Sequence, residues 1–170
     1  MEITNIASFL DYYSRIRQRT ERVIACIPPD RYDWTYKAGK FTFADIIRHI
    51  AAIERYLYAE NALGKPAAYP GCGKELADGS EQVLEFFREK HQESIAIFRS
   101  LTDEQLQQKI QTPGGGEISL WKWLRALVEH EIHHRAQLYI YLGLLDIPAP
   151  PIFGLSSEEV LAQSTPMKKE

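Results

Sequence analysis

Four stretches of this chain repeat apolar side chains every third or fourth residue, and each is bracketed by residues that stop a helix. In the first, Ile6, Phe9, Tyr13, Ile16, Thr20, Val23, Ile24 and Ile27 predict a helix over about residues 4–27. Pro28-Pro29 ends it, because proline has no amide hydrogen to continue the ladder. The second opens at Thr42-x-x-Asp45, a capping-box pattern with Asp for the usual Glu or Gln. It runs to about Leu63, where Gly64 and Pro66 close it. Ser80 caps a third helix carrying Val83, Leu84, Phe87, Ile95, Phe98 and Leu101, and Ser119 caps a fourth that runs to Gly143.

The connections are as informative as the helices. The stretch "GKPAAYPGCGKELADGS" is long and rich in Pro and Gly, and predicts a loop between the second and third helices that crosses the bundle or borders a pocket. Thr102-x-x-Gln105 predicts one short extra turn, and "QKIQTPGGGEIS" a small hairpin. A short terminal helix begins near Ser156-x-x-Glu159. The expected architecture is all-α: a four-helix bundle of one domain over residues 1–170, with its core at about 5–147 and a C-terminal extension at 148–170.

The composition excludes several classes. Hydrophobic residues are 45% and charged residues 25% of the 170, and the formal net charge is −3, so nothing resembles a nucleic-acid footprint. No run of about 18 uncharged apolar residues spans a membrane. Gly114 to Gly116 lack the Lys-Ser/Thr ending of a phosphate loop. Cys26 and Cys72 form no disulfide framework, and the first twenty residues lack the order of a signal peptide; the expected location is cytoplasmic.

Three of the five histidines fall within "HEIHH", residues 130–134. At about 100° per residue, His130 and His134 lie about 40° apart on a stripe shared with Trp123, Leu127, Gln137 and Tyr141. His133 falls about 60° to the other side of His130, towards Lys122, Arg125 and Glu129, and reads as a rim residue. Two imidazoles at i and i+4 form a helical metal clamp, and the best third ligand is His49, on the border of the second helix's apolar face. Spacing alone leaves the pair equally readable as hydrogen-bonded core histidines, which is the reading for His91.

The stretches "GKFTFADIIRHIAAIERYLY" and "EHEIHHRAQLYIYLGLL" resemble the two histidine-bearing helices of the DinB-like superfamily, the second matching its His-x-x-x-His-Arg-x-Gln pattern. That superfamily includes YfiT-type metal-dependent hydrolases and bacillithiol and mycothiol S-transferases. The resemblance spans roughly residues 5–147 and implies a four-helix bundle, often homodimeric. It also implies a divalent metal, nickel or zinc first and iron or manganese as alternatives, on His49, His130 and His134. The chain has Asp45 where Glu is usual, which makes Asp45, one turn before His49, an expected outer partner of the site. Ala136 stands where Gly is frequent.

Three function classes follow. The leading one is a metal-dependent transferase joining a low-molecular-weight thiol to a small electrophile, with a metal-dependent hydrolase as the alternative. Gln137 and Tyr141 are expected to line the pocket. The second class takes His130-Glu131-Ile132-His133-His134 literally as HExxH, with Glu131 as the general base of a protease; the missing third histidine downstream counts against it, although spacing leaves Glu158 and Glu159 open. The third is a non-catalytic metal-binding or structural dimer, for which Leu124, Val128, Ile132, Tyr139 and Leu142 would supply a second apolar side on the last long helix.

Overall fold

The computed structural model describes residues 2–164. Its long helices are α1 (Ile6–Ile24), α2 (Phe43–Ile53), α4 (Ser80–Arg99) and α5 (Leu120–Leu144). A π-helical segment, Glu54–Ala59, and a short α3, Glu60–Ala62, prolong α2 without a break. A hairpin of β1 (Lys109–Gln111) and β2 (Glu117–Ser119) follows the short 3₁₀ turn Glu104–Gln107 and pairs Ile110 with Ile118. A terminal α6, Ser157–Gln163, carries the capping box read at Ser156 and Glu159. Among the described residues no helix is long and apolar enough to cross a membrane.

Local chemistry fixes the helix ends. Thr42 and Asp45 exchange the two bonds of a capping box at the start of α2. At α4 the cap position belongs to Gly79, whose φ of 83° is left-handed, so Ser80 is the first helical residue and not the cap. Ser119 stands at the N-cap of α5 but makes no side-chain bond there.

Around the bundle the packed neighbours are α1 with α5, α5 with α2, α2 with α4, and α4 with α1. Helices α1 and α2 therefore lie across a diagonal, while α2 and α5, far apart in sequence, lie side by side. The core is two apolar clusters. One gathers Phe9, Tyr13, Ile16, Phe98, Trp123, Leu124 and Leu127; the other gathers Val23, Ile24, Phe43, Ile47, Ile50, Phe87 and Leu138. A buried polar layer separates them, built from Arg17 and Thr20 of α1, Glu54 of the π segment and Glu131 of α5.

The second apolar side of α5 is covered within the chain: Leu124, Val128 and Leu142 are buried in these clusters, and Ile132 and Tyr139 are half-buried against them. That face gives no argument for a second copy. The large apolar side chains that α5 does expose are Ile140 and Leu144.

Candidate metal centre

His49 of α2 and His130 and His134 of α5 meet where these two helices pack. One ring nitrogen from each lies within 4.8 Å of the others, the one such group of His, Cys, Asp or Glu among the described residues. The Nε2 atoms of His49 and His130 are 3.2 Å apart. Two nitrogens on one zinc, at about 2.0–2.1 Å and near a tetrahedral angle, would be about 3.3 Å apart, so the spacing already suits a shared ion.

The outer nitrogens of two rings are held. His134 Nδ1 donates to Gln137 Oε1 at 2.8 Å, which leaves His134 Nε2 as a bare lone pair. Gln137 in turn reaches the exposed His133 through its amide nitrogen. His49 Nδ1 is hydrogen-bonded to the Tyr69 hydroxyl at 2.8 Å. His130 Nδ1, by contrast, is buried with no hydrogen-bond partner among the described residues. Three convergent imidazoles, two of them anchored from behind, fit a divalent ion; the third is steered by packing, with the Tyr58 ring 6.0 Å away.

Burial sets the charge state. It lowers the His49 pKa to about 4, helped by neighbouring His134, and that of His130 to about 3, helped by His134 and His49. His134 is also lowered by burial, against the upward pull of its bond to Gln137. All three rings are therefore neutral at pH 7, the form that binds metal.

The long loop over residues 64–79 supplies Tyr69, and a buried arginine fixes that loop. Arg48 donates its Nε to the Cys72 carbonyl at 2.7 Å and its Nη1 to the Ala77 carbonyl at 2.9 Å. It also forms an ion pair with Asp45. Asp45 is thus committed to Thr42 and Arg48 and makes no hydrogen bond to the three histidines, which corrects its expected role as an outer partner of the site. Cys72 is half-buried near Tyr69, and burial raises its thiol pKa.

Glu131 is likewise engaged elsewhere. Fully buried, it accepts from the Thr20 hydroxyl at 2.7 Å and pairs with Arg17 at 3.0 Å, so it is a member of the polar layer and not placed as a base beside the metal group. Arg17 also pairs with Glu54, whose other oxygen meets His91 Nδ1 at 2.8 Å; His91 is the hydrogen-bonded structural histidine expected. Of the downstream glutamates, Glu159 caps α6. Tyr141 lines a cavity, and its hydroxyl donates to the Phe41 carbonyl at 2.9 Å.

Sequence reasoning missed Tyr69, Tyr58 and Phe41. Tyr69 lies in a loop with no period to read. Tyr58 is nine residues past His49, two and a half turns of a regular helix and so on the far face; the π segment rotates it back. Phe41, whose ring is 5.7 Å from His49, precedes the α2 cap, and its place beside the capping residue was the one available signal.

Comparison with known proteins adds ancestry to this geometry. YjoA of Bacillus subtilis (strain 168) is 26% identical over 138 residues, covering 78% of this chain and 87% of YjoA. The fold matches that of YfiT from Bacillus subtilis, described as a probable metal-dependent hydrolase with an unusual four-helix bundle topology, at a TM-score of 0.66 and 18% identity over 84% of this chain and 89% of YfiT. It also matches a mycothiol-dependent maleylpyruvate isomerase, at a TM-score of 0.60 and 14% identity over 94% of this chain and 70% of the isomerase. A family profile described as DinB superfamily matches residues 12–138, three quarters of the sequence, and the chain belongs to that superfamily.

Proposed function

We propose that this protein is a metal-dependent enzyme that uses His49, His130 and His134 to hold a divalent ion and joins a low-molecular-weight thiol to a small electrophile. The observation that carries the reading is the convergence of three neutral imidazole nitrogens within 4.8 Å, with no fourth His, Cys, Asp or Glu joining the group among the described residues. Such a set leaves coordination positions open to substrate, as in catalytic rather than structural sites. An ion there would supply Lewis acidity, stabilising the deprotonated form of a thiol or water near neutral pH. The chain's own contribution is positional. Gln137 fixes the tautomer of His134, Tyr69 holds the ring plane of His49, and the apolar surroundings of Tyr58 and Phe41 limit water.

The likeness to a mycothiol-dependent isomerase supports the thiol, and the likeness to YfiT supports hydrolysis as the second reading. Elemental analysis of the purified protein, followed by thiol-conjugation and ester-hydrolysis assays with and without chelator, separates the two. The expected result is one ion per chain and chelator-sensitive conjugation, both lost in His49→Ala and His134→Ala. Full metal content in both variants would reject the ligand assignment.

A further inference from the structure

Adjoining the residues that back the three histidines, though lined by none of the three, lies a cavity of about 570 Å³ between the segment preceding α2 and the C-terminal half of α5. Two of its lining residues also touch the metal group: Gln137 holds His134, and the Phe41 ring is 5.7 Å from His49. Its remaining walls include Tyr36, Ile140, Tyr141 and Leu144. Ile140 is 62% and Leu144 57% exposed, and Tyr36 and Phe41 are exposed as well. Singly exposed apolar side chains are ordinary, but four of them gathered around one depression form a contiguous patch of the kind that marks a binding site. The volume is in the range of small-molecule pockets, about 300–1,000 Å³.

The wall carries one charged residue, Lys40, which forms no ion pair among the described residues. A lone ammonium on the edge of an aromatic and aliphatic pocket complements an anion attached to an apolar body. Tyr141 is held in place from inside, its hydroxyl bonded to the Phe41 carbonyl and its ring packed edge-on to Trp34 and Phe43, so the wall is preformed. We propose that this cavity receives the electrophilic substrate, and that the substrate is an aromatic or alkyl carboxylate of small-molecule size whose carboxylate meets Lys40. The assignment rests on reading the three histidines as the reaction centre.

The test uses 2-naphthoate and its uncharged counterpart 2-naphthalenemethanol, titrated calorimetrically into the Co²⁺-loaded full-length chain while the visible cobalt spectrum is followed. Naphthoate is expected to bind and to perturb the cobalt bands. Lys40→Gln should weaken naphthoate about tenfold and leave the alcohol unchanged, while Ile140→Ser with Leu144→Ser should weaken both about tenfold or more. Equal losses for acid and alcohol in Lys40→Gln would overturn the carboxylate assignment. Absence of naphthoate binding to cobalt-loaded protein would overturn the pocket and leave the metal reading standing. If no cobalt is retained, the metal reading fails alone, because naphthoate binding to the metal-free chain still judges the pocket. Sedimentation runs alongside: a dimer that Leu144→Ser dissociates, with naphthoate bound by neither form, would reassign the cavity to an interface and overturn the inference.

Discussion

At the scale of single residues the centre depends on what stands behind each imidazole. Gln137 is the clearest case: its carbonyl oxygen accepts from His134 Nδ1, so the nitrogen facing the ion carries no proton. Gln137→Leu keeps the side chain's bulk and removes that bond, and should weaken Zn²⁺ or Ni²⁺ binding about 10–100-fold, as chelator competition would measure. The charge state gives a second expectation. The ordinary imidazole value is 6.5, whereas burial brings His49 to about 4 and His130 to about 3. As pH falls below 6.5 the unfolded chain takes up protons on these rings and the folded chain does not. Metal-free stability should therefore be constant above about pH 6.5 and fall as the pH is lowered towards 4. For the folded protein the sign is the same but the window is lower: His49 and His130 take up protons only near pH 4 and below, and burial lowers His134 as well, so affinity measured by calorimetry should hold as the pH falls from 7 to 6. An affinity that drops between pH 7 and 6 would show ordinary, solvated histidines. Periodicity put His130 and His134 on one helix face and His49 on an apolar border, and the family resemblance singled out the three together; Gln137 fell on the same stripe as the pair. Asp45 misled the sequence reading, because one helical turn of separation suits either an outer partner of His49 or an ion pair with Arg48, and only packing decides.

At the scale of elements, α2 and its continuation explain most of what periodicity did not foresee. The regular count ran the helix to Leu63, and the length was right, but the π segment at Glu54–Ala59 adds a residue within one turn and shifts every later side chain. That shift brings Tyr58 towards the histidines, while Tyr56 packs half-buried against the second apolar cluster with Arg55 and Lys90 over its ring. No propensity in "ERYLYA" announces it, because a π turn and an α turn accept the same residues. The loop over 64–79 depends on α2 in turn. Arg48 is buried and satisfies two loop carbonyls, so Arg48→Leu leaves those acceptors without their donor and frees the segment that presents Tyr69. The expected cost is about 2–4 kcal/mol in urea unfolding, from two lost bonds to a charged donor and an abandoned Asp45. Limited proteolysis should show cleavage within 64–79 in the variant before the helices are cut.

At the scale of the whole molecule, the order of helices around the bundle was the part local patterns could not supply. Capping and period act over a few residues, whereas the neighbourhood of α2 and α5 depends on long-range packing that joins residues 81 apart. The same packing creates the buried layer of Arg17, Glu54 and Glu131, in which one guanidinium serves two carboxylates between apolar clusters. Taking such charges out of water costs several kcal/mol each, and their mutual attraction only offsets it. Removing one member should therefore be far worse than removing all three. Arg17→Met strands two carboxylates, both fully buried, and should cost about 3–5 kcal/mol in urea unfolding. The triple replacement Arg17→Met, Glu54→Leu, Glu131→Leu should cost less than Arg17→Met alone, because it removes all the buried charges together and leaves only the neutral Thr20 and His91 without their carboxylate partners. Metal affinity then separates two roles for the layer. Two of the three ligand rings are held by Gln137 and Tyr69, neither of which belongs to it, and the third is steered by packing, so the triple variant should bind Zn²⁺ within about threefold of the parent. A loss greater than about tenfold at unchanged stability would mean that Glu131, next in sequence to His130, sets the ring's depth and compensates for the missing partner of its Nδ1.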